Sequence, residues 1–195
     1  MTYANRSAYI LSPWQFELRD VPVDAPPAGH IQVEVHACGV CGTDMHIADR
    51  YAQEWQAFGH EVAGIIRAVG ESVTRFAPGD RVALDSSAPC GQCEACRAQP
   101  HGRARPDLCP QPLTYWGARA MGFSQYVTSP QELAVQVPDH VPMEIACMTE
   151  PLGVCVDLVK TAQVGPGDHV LVIGPGPLGL GAVFLAKQAG AARLY

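Results

Sequence analysis

The 195-residue chain is short of charge, and above all of positive charge. Only 16% of its residues are charged, and 13 Lys and Arg face 19 Asp and Glu, for a formal net charge of −6. Nucleic-acid binding is disfavoured, because phosphate backbones require a basic surface. The longest apolar runs, such as His169–Ile173, are too short to span a bilayer, and residues 1–14 lack the apolar core of a signal peptide. We therefore expect neither membrane insertion nor secretion, while 48% hydrophobic residues argue against disorder.

Four of the eight cysteines stand at metal-ligand spacing. Cys90, Cys93, Cys96 and Cys109 are separated by two, two and twelve residues. Without an export signal, we expect these thiols to be reduced in the cytoplasm and to bind a metal rather than to form disulfides. Four thiolates around a tetrahedral zinc leave no open coordination position, so the spacing predicts a structural zinc site.

The first 150 residues have the pattern of a small, irregular β-barrel. Short apolar or alternating segments are broken by Gly and Pro, and Arg97–Asp107 is predicted to be an exposed loop. The predicted strands are Ile31–Val35, Ala63–Val69, Arg81–Leu84, Tyr126–Val127 and Ala134–Val137.

The pattern changes after Glu150, and we place a domain boundary between residues 153 and 154. A helix over Leu152–Ala162 precedes a strand over His169–Ile173, which is predicted to be buried on both faces, and a helix over Pro177–Ala189. The glycine pattern Gly174-x-Gly176-x-x-Gly179 joins this strand and helix, where glycines let a pyrophosphate approach the backbone. Residues 1–153 and 154–195 are thus predicted to form a β-rich domain and the start of an α/β dinucleotide-binding domain. The alternative interpretation of the glycine pattern at 174–179 is an ordinary Gly/Pro turn that binds no cofactor.

A second group of metal-ligand residues comes from separate segments. Cys41 and His60 are suitable zinc ligands, and Glu61 or Glu150 offers a carboxylate to complete the site. The alternative is that His60 is a core histidine and Cys41 a buried thiol. Cys147 and Cys155 are close to Glu150 in sequence and stay open as alternative ligands.

Several of these segments resemble the zinc-containing medium-chain alcohol dehydrogenases. The similar motifs are Cys41-Gly42-Thr43-Asp44, Gly59-His60-Glu61-x-x-Gly64 and Gly79-Asp80-Arg81-Val82. Thr149-Glu150-Pro151-Leu152 resembles the branch that contains sorbitol, threonine and glucose dehydrogenases. The resemblance implies a GroES-like catalytic domain followed by the start of a Rossmann domain. It also implies oxidation of an alcohol or polyol by hydride transfer to NAD or NADP.

Carried onto this sequence, the resemblance implies particular roles. A catalytic zinc would be held by Cys41 and His60 with Glu61 or Glu150, and the cysteine group would make two zinc ions per chain. Thr43 and His46 would relay the substrate proton. The cofactor would lie at Gly174, Gly176, Leu178 and Gly179, and the full-length protein would be a dimer or tetramer. Two features depart from the family: the insertion Ala98–Pro106, and Asp157 where many members have histidine.

Three other classes are compatible with parts of the sequence. A non-catalytic zinc-binding module would bind zinc at both ligand groups. A zinc-ribbon nucleic-acid binder would use only the four-cysteine group, and a zinc-free relative of the quinone reductases would use neither group. The aromatic residues Trp55, Phe58, Tyr115 and Trp116 are predicted either to line a pocket or to pack in the core. Because the α/β pattern stops after one strand and one helix, we expect an N-terminal portion of a dehydrogenase with little or no activity by itself.

Overall fold

The structure, a computed structural model, describes residues 4–98 and 108–195. It divides into two compact units, residues 1–147 and 148–195. The strands of the first unit are β1 (Ala4–Leu11), β2 (Gln15–Pro22), β3 (His30–Gly39), β4 (Gln56–Ala57), β5 (Glu61–Val69), β6 (Arg81–Leu84), β7 (Ser87–Ala88), β8 (Leu113–Thr114), β9 (Tyr126–Pro130) and β10 (Ala134–Gln136). Its helices are α1 (Gly42–His46), a π-helical turn (Ile47–Tyr51), α2 (Glu94–Arg97), a 3-10 turn (Gln131–Leu133) and α3 (Met143–Ala146).

The main sheet of the first unit contains all five predicted strands. Its order is β10-β6-β5-β3-β9, and every neighbouring pair is antiparallel. The apolar side chains that alternate along these strands meet in one core, in which Ile31, Val33, Val62, Ile66 and Val82 are fully buried. The predicted β-rich fold is therefore confirmed, although the sheets formed by residues 4–98 and 108–195 do not close into a barrel.

A second sheet, of order β2-β1-β4, contains two long strands that the sequence does not predict. Two inward positions of β1 are polar, Asn5 and Ser7, so the strand lacks a hydrophobic alternation. The buried Asn5 amide is stabilised by hydrogen bonds to the backbone of β9 and its preceding residue. It donates to the Tyr126 carbonyl at 2.7 Å and accepts from the backbone N–H groups of Gln125 and Tyr126 at 3.1 and 3.0 Å.

The second unit has two helices and a short parallel strand pair. Its elements are α4 (Thr149–Thr161), β11 (His169–Val170), α5 (Pro177–Gln188) and β12 (Arg193–Leu194). Both predicted helices are confirmed within three residues at either end. The predicted strand over 169–173 is confirmed only at His169–Val170, and its predicted burial on both faces is wrong, because His169 is exposed and Val170 is only half-buried. Among the described residues β12 alone pairs with β11, and the Ile173 residue is 90% exposed.

Cys155 packs α4 onto α5. Its thiol is buried and donates to the Leu178 carbonyl at 3.4 Å, and a Cβ on Gly181 would lie only 2.6 Å from its Sγ atom. Cys155 thus has a packing role within the second unit. Over the described part of the chain, none of the helices has the length and apolar character needed to cross a membrane.

Candidate metal centres

The four predicted cysteines come together at one place. The Sγ atoms of Cys90, Cys93, Cys96 and Cys109 all lie within 4.8 Å of one another. Cys93 caps the N-terminus of α2, which turns the chain so that Cys96 faces Cys90, with 3.9 Å between their Sγ atoms. The Sγ atoms of Cys93 and Cys109 are also 3.9 Å apart. Thiols this close without disulfide bonds have the arrangement of a four-sulfur metal site.

Backbone N–H groups point at the sulfur atoms of this group. Cys93 N–H donates to the Cys90 sulfur, Cys96 N–H to the Cys93 sulfur, and Cys90 N–H to the Cys109 sulfur, each at 3.4 Å. The N–H groups of Gln92 and Cys93 lower the pKa of Cys90 to about 6, whereas burial raises the pKa of Cys96. The local backbone therefore stabilises the thiolate form of Cys90, the form that binds metal. The predicted loop Arg97–Asp107 and insertion Ala98–Pro106 fall largely outside the described residues.

The second group unites two segments that are 19 residues apart in the sequence. Cys41 stands just before α1, His60 stands just before β5, and Glu61 is the first residue of β5. The β3–β5 ladder places Gly39 opposite Glu61 and so brings Cys41 to the same end of the sheet. One ligand atom from each of Cys41, His60 and Glu61 lies within 4.8 Å of the others.

Asp44 is a buried carboxylate beside this group, in a position that the sequence pattern does not predict. Its residue is 2% exposed. It accepts hydrogen bonds from Cys41 N–H at 2.9 Å and Gly59 N–H at 3.3 Å, so it fixes the backbone beside both ligand segments. Its Oδ1 lies 3.7 Å from His60 Nδ1. A capping-box position three residues after Cys41 was the signal available in the sequence.

His60 is held on several sides. It is 4% exposed, the Tyr115 hydroxyl donates to its carbonyl at 2.9 Å, and the Trp116 ring lies 5.0 Å from its imidazole. Burial lowers the pKa of His60, but Asp44 and Cys41 outweigh it and raise the pKa to about 9. Among the described residues its Nδ1 atom has no hydrogen-bond partner, although it is buried.

Glu61 reaches the group across a glycine. A Cβ built on Gly39 would lie 1.9 Å from Glu61 Oε2, so the absence of a side chain at Gly39 makes room for the carboxylate. Two further thiols lie nearby, but burial raises the pKa values of Cys38 and Cys147 and disfavours their thiolate forms. Of the described thiols outside the four-cysteine group, Cys41 is the one that lies with His60 and Glu61.

The other predicted residues lie on two helices and in loops. Thr43 and His46 are exposed and stand three positions apart on α1, a spacing that puts them on one helix face. Glu150 lies in the first turn of α4, in the second unit. Phe58 and Tyr115 are buried, whereas Trp116 is 38% exposed.

The glycine pattern forms a tight turn into α5. Gly174 has a φ of +105°, which favours glycine, and Gly176 caps the helix ahead of Pro177. A Cβ on Gly179 would lie 1.9 Å from the Gly174 carbonyl oxygen. Leu178 follows in the first turn of α5, whose helix N-terminus is suited to a phosphate group.

Both groups offer the donor atoms that zinc prefers. Thiolate, imidazole and carboxylate at one point suit a site with an open position, and four thiolates suit a closed one. The unpartnered, buried Nδ1 of His60 beside a buried carboxylate is consistent with a metal-ligating histidine and a supporting acid. The residues present therefore fit two zinc ions.

A β-rich unit with two such groups defines a class of metal-binding domain, and comparison with known proteins identifies the family. Residues 27–139 match the model of the alcohol dehydrogenase GroES-like domain. The chain belongs to this family, and the expected relationship to the zinc-containing medium-chain alcohol dehydrogenases is confirmed.

The chain is similar both to curated proteins in sequence and to solved proteins in structure. The chain is 36% identical over 171 residues to a sorbitol dehydrogenase from Arabidopsis thaliana, covering 84% of this chain and 46% of the relative. It is 33% identical over 187 residues to a sorbitol dehydrogenase from Bacillus subtilis, covering 92% and 52%. An alcohol dehydrogenase from Escherichia coli CFT073, solved with NADH, superposes with a TM-score of 0.83 at 30% identity, over 99% of this chain and 63% of that one. The chain spans about half the length of these curated relatives.

Proposed function

We propose that this chain supplies the metal-binding part of a zinc-dependent dehydrogenase that oxidises an alcohol or polyol with NAD or NADP. The observation that carries the proposal is the convergence of Cys41, His60 and Glu61 within 4.8 Å in a chain of this family. The similarity to two sorbitol dehydrogenases supports a polyol as the substrate class.

The two ligand groups take different roles in this proposal. Cys41 and His60 hold one zinc together with Glu61 or Glu150, while Cys90, Cys93, Cys96 and Cys109 hold the other. When bound at the first group, zinc supplies Lewis-acid chemistry that lowers the pKa of a substrate hydroxyl. The four-cysteine group has no ligand position left for substrate, so its role is to hold its loop together.

The proton and the hydride leave the substrate by separate routes. Thr43 Oγ1 accepts the hydroxyl proton and His46 passes it to solvent, roles supported by their exposure on one face of α1. Gly174, Gly176, Leu178 and Gly179 form the turn that receives the cofactor pyrophosphate. The nicotinamide cofactor supplies the hydride acceptor when bound.

The test is the zinc content of the purified protein. We expect two zinc ions per chain in the wild type, one in Cys41→Ser, and two in the control Cys155→Ser, whose thiol packs in the second unit. One zinc per chain, unaffected by Cys41→Ser, would contradict the proposal and favour a non-catalytic zinc-binding domain.

A further inference from the structure

Two short paired strands, β7 and β8, lie between the two candidate metal groups, and residues 89–112 connect them into a long-looped hairpin. Strands β7 and β8 pair antiparallel, with Ser87 opposite Thr114 and Ala88 opposite Leu113. Cys90 follows β7 by two residues, and Tyr115 and Trp116 come directly after β8. One end of the hairpin therefore leads into the four-cysteine group, and the other end reaches His60.

Tyr115 holds the backbone of His60. Its residue is 3% exposed, and its hydroxyl donates to the His60 carbonyl at 2.9 Å across 55 residues of sequence. A buried carbonyl needs a donor, so this bond fixes the peptide that precedes Glu61.

Trp116 holds the side chain of His60 from another direction. The two rings have centroids 5.0 Å apart and an interplanar angle of 37°. The Trp116 backbone N–H donates to Thr114 Oγ1 at 3.0 Å, and that hydroxyl donates to the Ser86 carbonyl at 2.9 Å. The position of the indole thus depends on the pairing of the hairpin.

We propose that Tyr115 and Trp116 are positioning residues for His60 and that the Thr114 hydroxyl, by closing the hairpin, sets their position. The inference rests on the proposed zinc site at Cys41, His60 and Glu61. A ligand held from two sides before the metal binds has less freedom to lose, so the metal is bound more tightly. Groups that orient a ligand from outside the coordination sphere commonly change metal affinity by about 10- to 100-fold.

The zinc-loaded protein provides the test, through release of zinc to a colorimetric chelator. We expect Tyr115→Phe to release zinc from the Cys41 site about tenfold faster than wild type. Thr114→Val is expected to accelerate release in the same direction, although its side chain is not a ligand. The matched control is Tyr9→Phe, because Tyr9 is also buried and its hydroxyl donates to the Arg119 carbonyl at 2.5 Å.

A spectroscopic measurement separates positioning from a general loss of stability. With Co²⁺ in place of zinc at the Cys41 site, Tyr115→Phe should shift the visible absorption bands of the ion, whereas Tyr9→Phe should not. The inference would be overturned if Tyr115→Phe and Thr114→Val both released zinc at the wild-type rate and left the Co²⁺ spectrum unchanged. It would also be overturned if Tyr115→Phe and Tyr9→Phe changed zinc release and the spectrum equally. If the wild-type protein bound zinc at the four-cysteine group alone, both this inference and the proposed function would be wrong.

Discussion

Adding one methyl group at Gly39 should separate metal binding from folding. Gly39 lies at the end of β3, opposite Glu61, and its φ is not in the left-handed region. The new Cβ of Gly39→Ala would lie 1.9 Å from Glu61 Oε2 and 3.1 Å from the Cβ and Cδ atoms of the same side chain. Ordinary van der Waals contact begins at 3.4 Å, so the carboxylate oxygen has to move by about 1.5 Å.

That displacement is large for a metal ligand and small for the fold. Ligand distances are held to about 0.2 Å, so a carboxylate moved this far no longer binds the same ion. We expect zinc affinity at the Cys41 site to fall at least about tenfold. The atom displaced furthest is the end of a flexible side chain, and alanine is favoured over glycine in a strand by about 0.5–1 kcal/mol. The free energy of unfolding of the zinc-free protein should therefore stay within about 0.5 kcal/mol of wild type.

The assay pairs competition for zinc with urea denaturation of the zinc-free protein. Gly42→Ala is the control, because it adds the same methyl group next to Cys41 and meets no atom within 4 Å. It should change neither quantity appreciably. Wild-type zinc affinity in Gly39→Ala would refute the assignment of Glu61 as the bound carboxylate.

Four further substitutions have defined outcomes. Asp44→Asn turns an amide NH₂ toward a backbone N–H, so we expect a loss of about 1–3 kcal/mol in urea denaturation together with weaker zinc binding. Gly179→Ala places its Cβ 1.9 Å from a backbone carbonyl oxygen, so we expect it to abolish nicotinamide-nucleotide binding in calorimetry. Gly153→Ala adds its Cβ in open space within α4 and should raise the free energy of unfolding by about 1 kcal/mol. Arg67 lowers the pKa of Glu34 from 4.5, so the pair stabilises the fold above pH 4.5 and loses this effect as the pH falls through the lower, folded-state value. Since both side chains are partly exposed, Glu34→Gln should remove less than about 1 kcal/mol at pH 7 and nothing in strong acid, measured by denaturation at both pH values.

The sequence was a good guide where the signal is local. The spacing of the four cysteines predicts their convergence because three of them lie within one turn and a short helix, whose geometry depends on neighbouring residues. The helix over 177–188 was equally predictable from Pro177 at its start and Gly190 just beyond its end.

Prediction failed where burial and hydrophobicity do not coincide. Asn5 and Ser7 are buried polar residues in β1, so a period-two search for apolar residues passes over the strand. The opposite error occurred at Ile173, which has strand character but lies beyond the end of the β11–β12 ladder and is exposed. A strand needs a partner for its backbone groups, and a single segment of sequence does not supply one.

By itself the sequence determined the kinds of ligand atom, their local spacing and the glycine turn, since these are properties of short segments. The tertiary structure decided which of them meet. The β3–β5 ladder brings Cys41 to His60, Asp44 folds back between the two segments, and the β7–β8 hairpin carries Tyr115 to a carbonyl 55 residues earlier in the chain. Such contacts arise from strand pairing and from the need to satisfy buried polar groups, and both act between residues that are far apart in sequence.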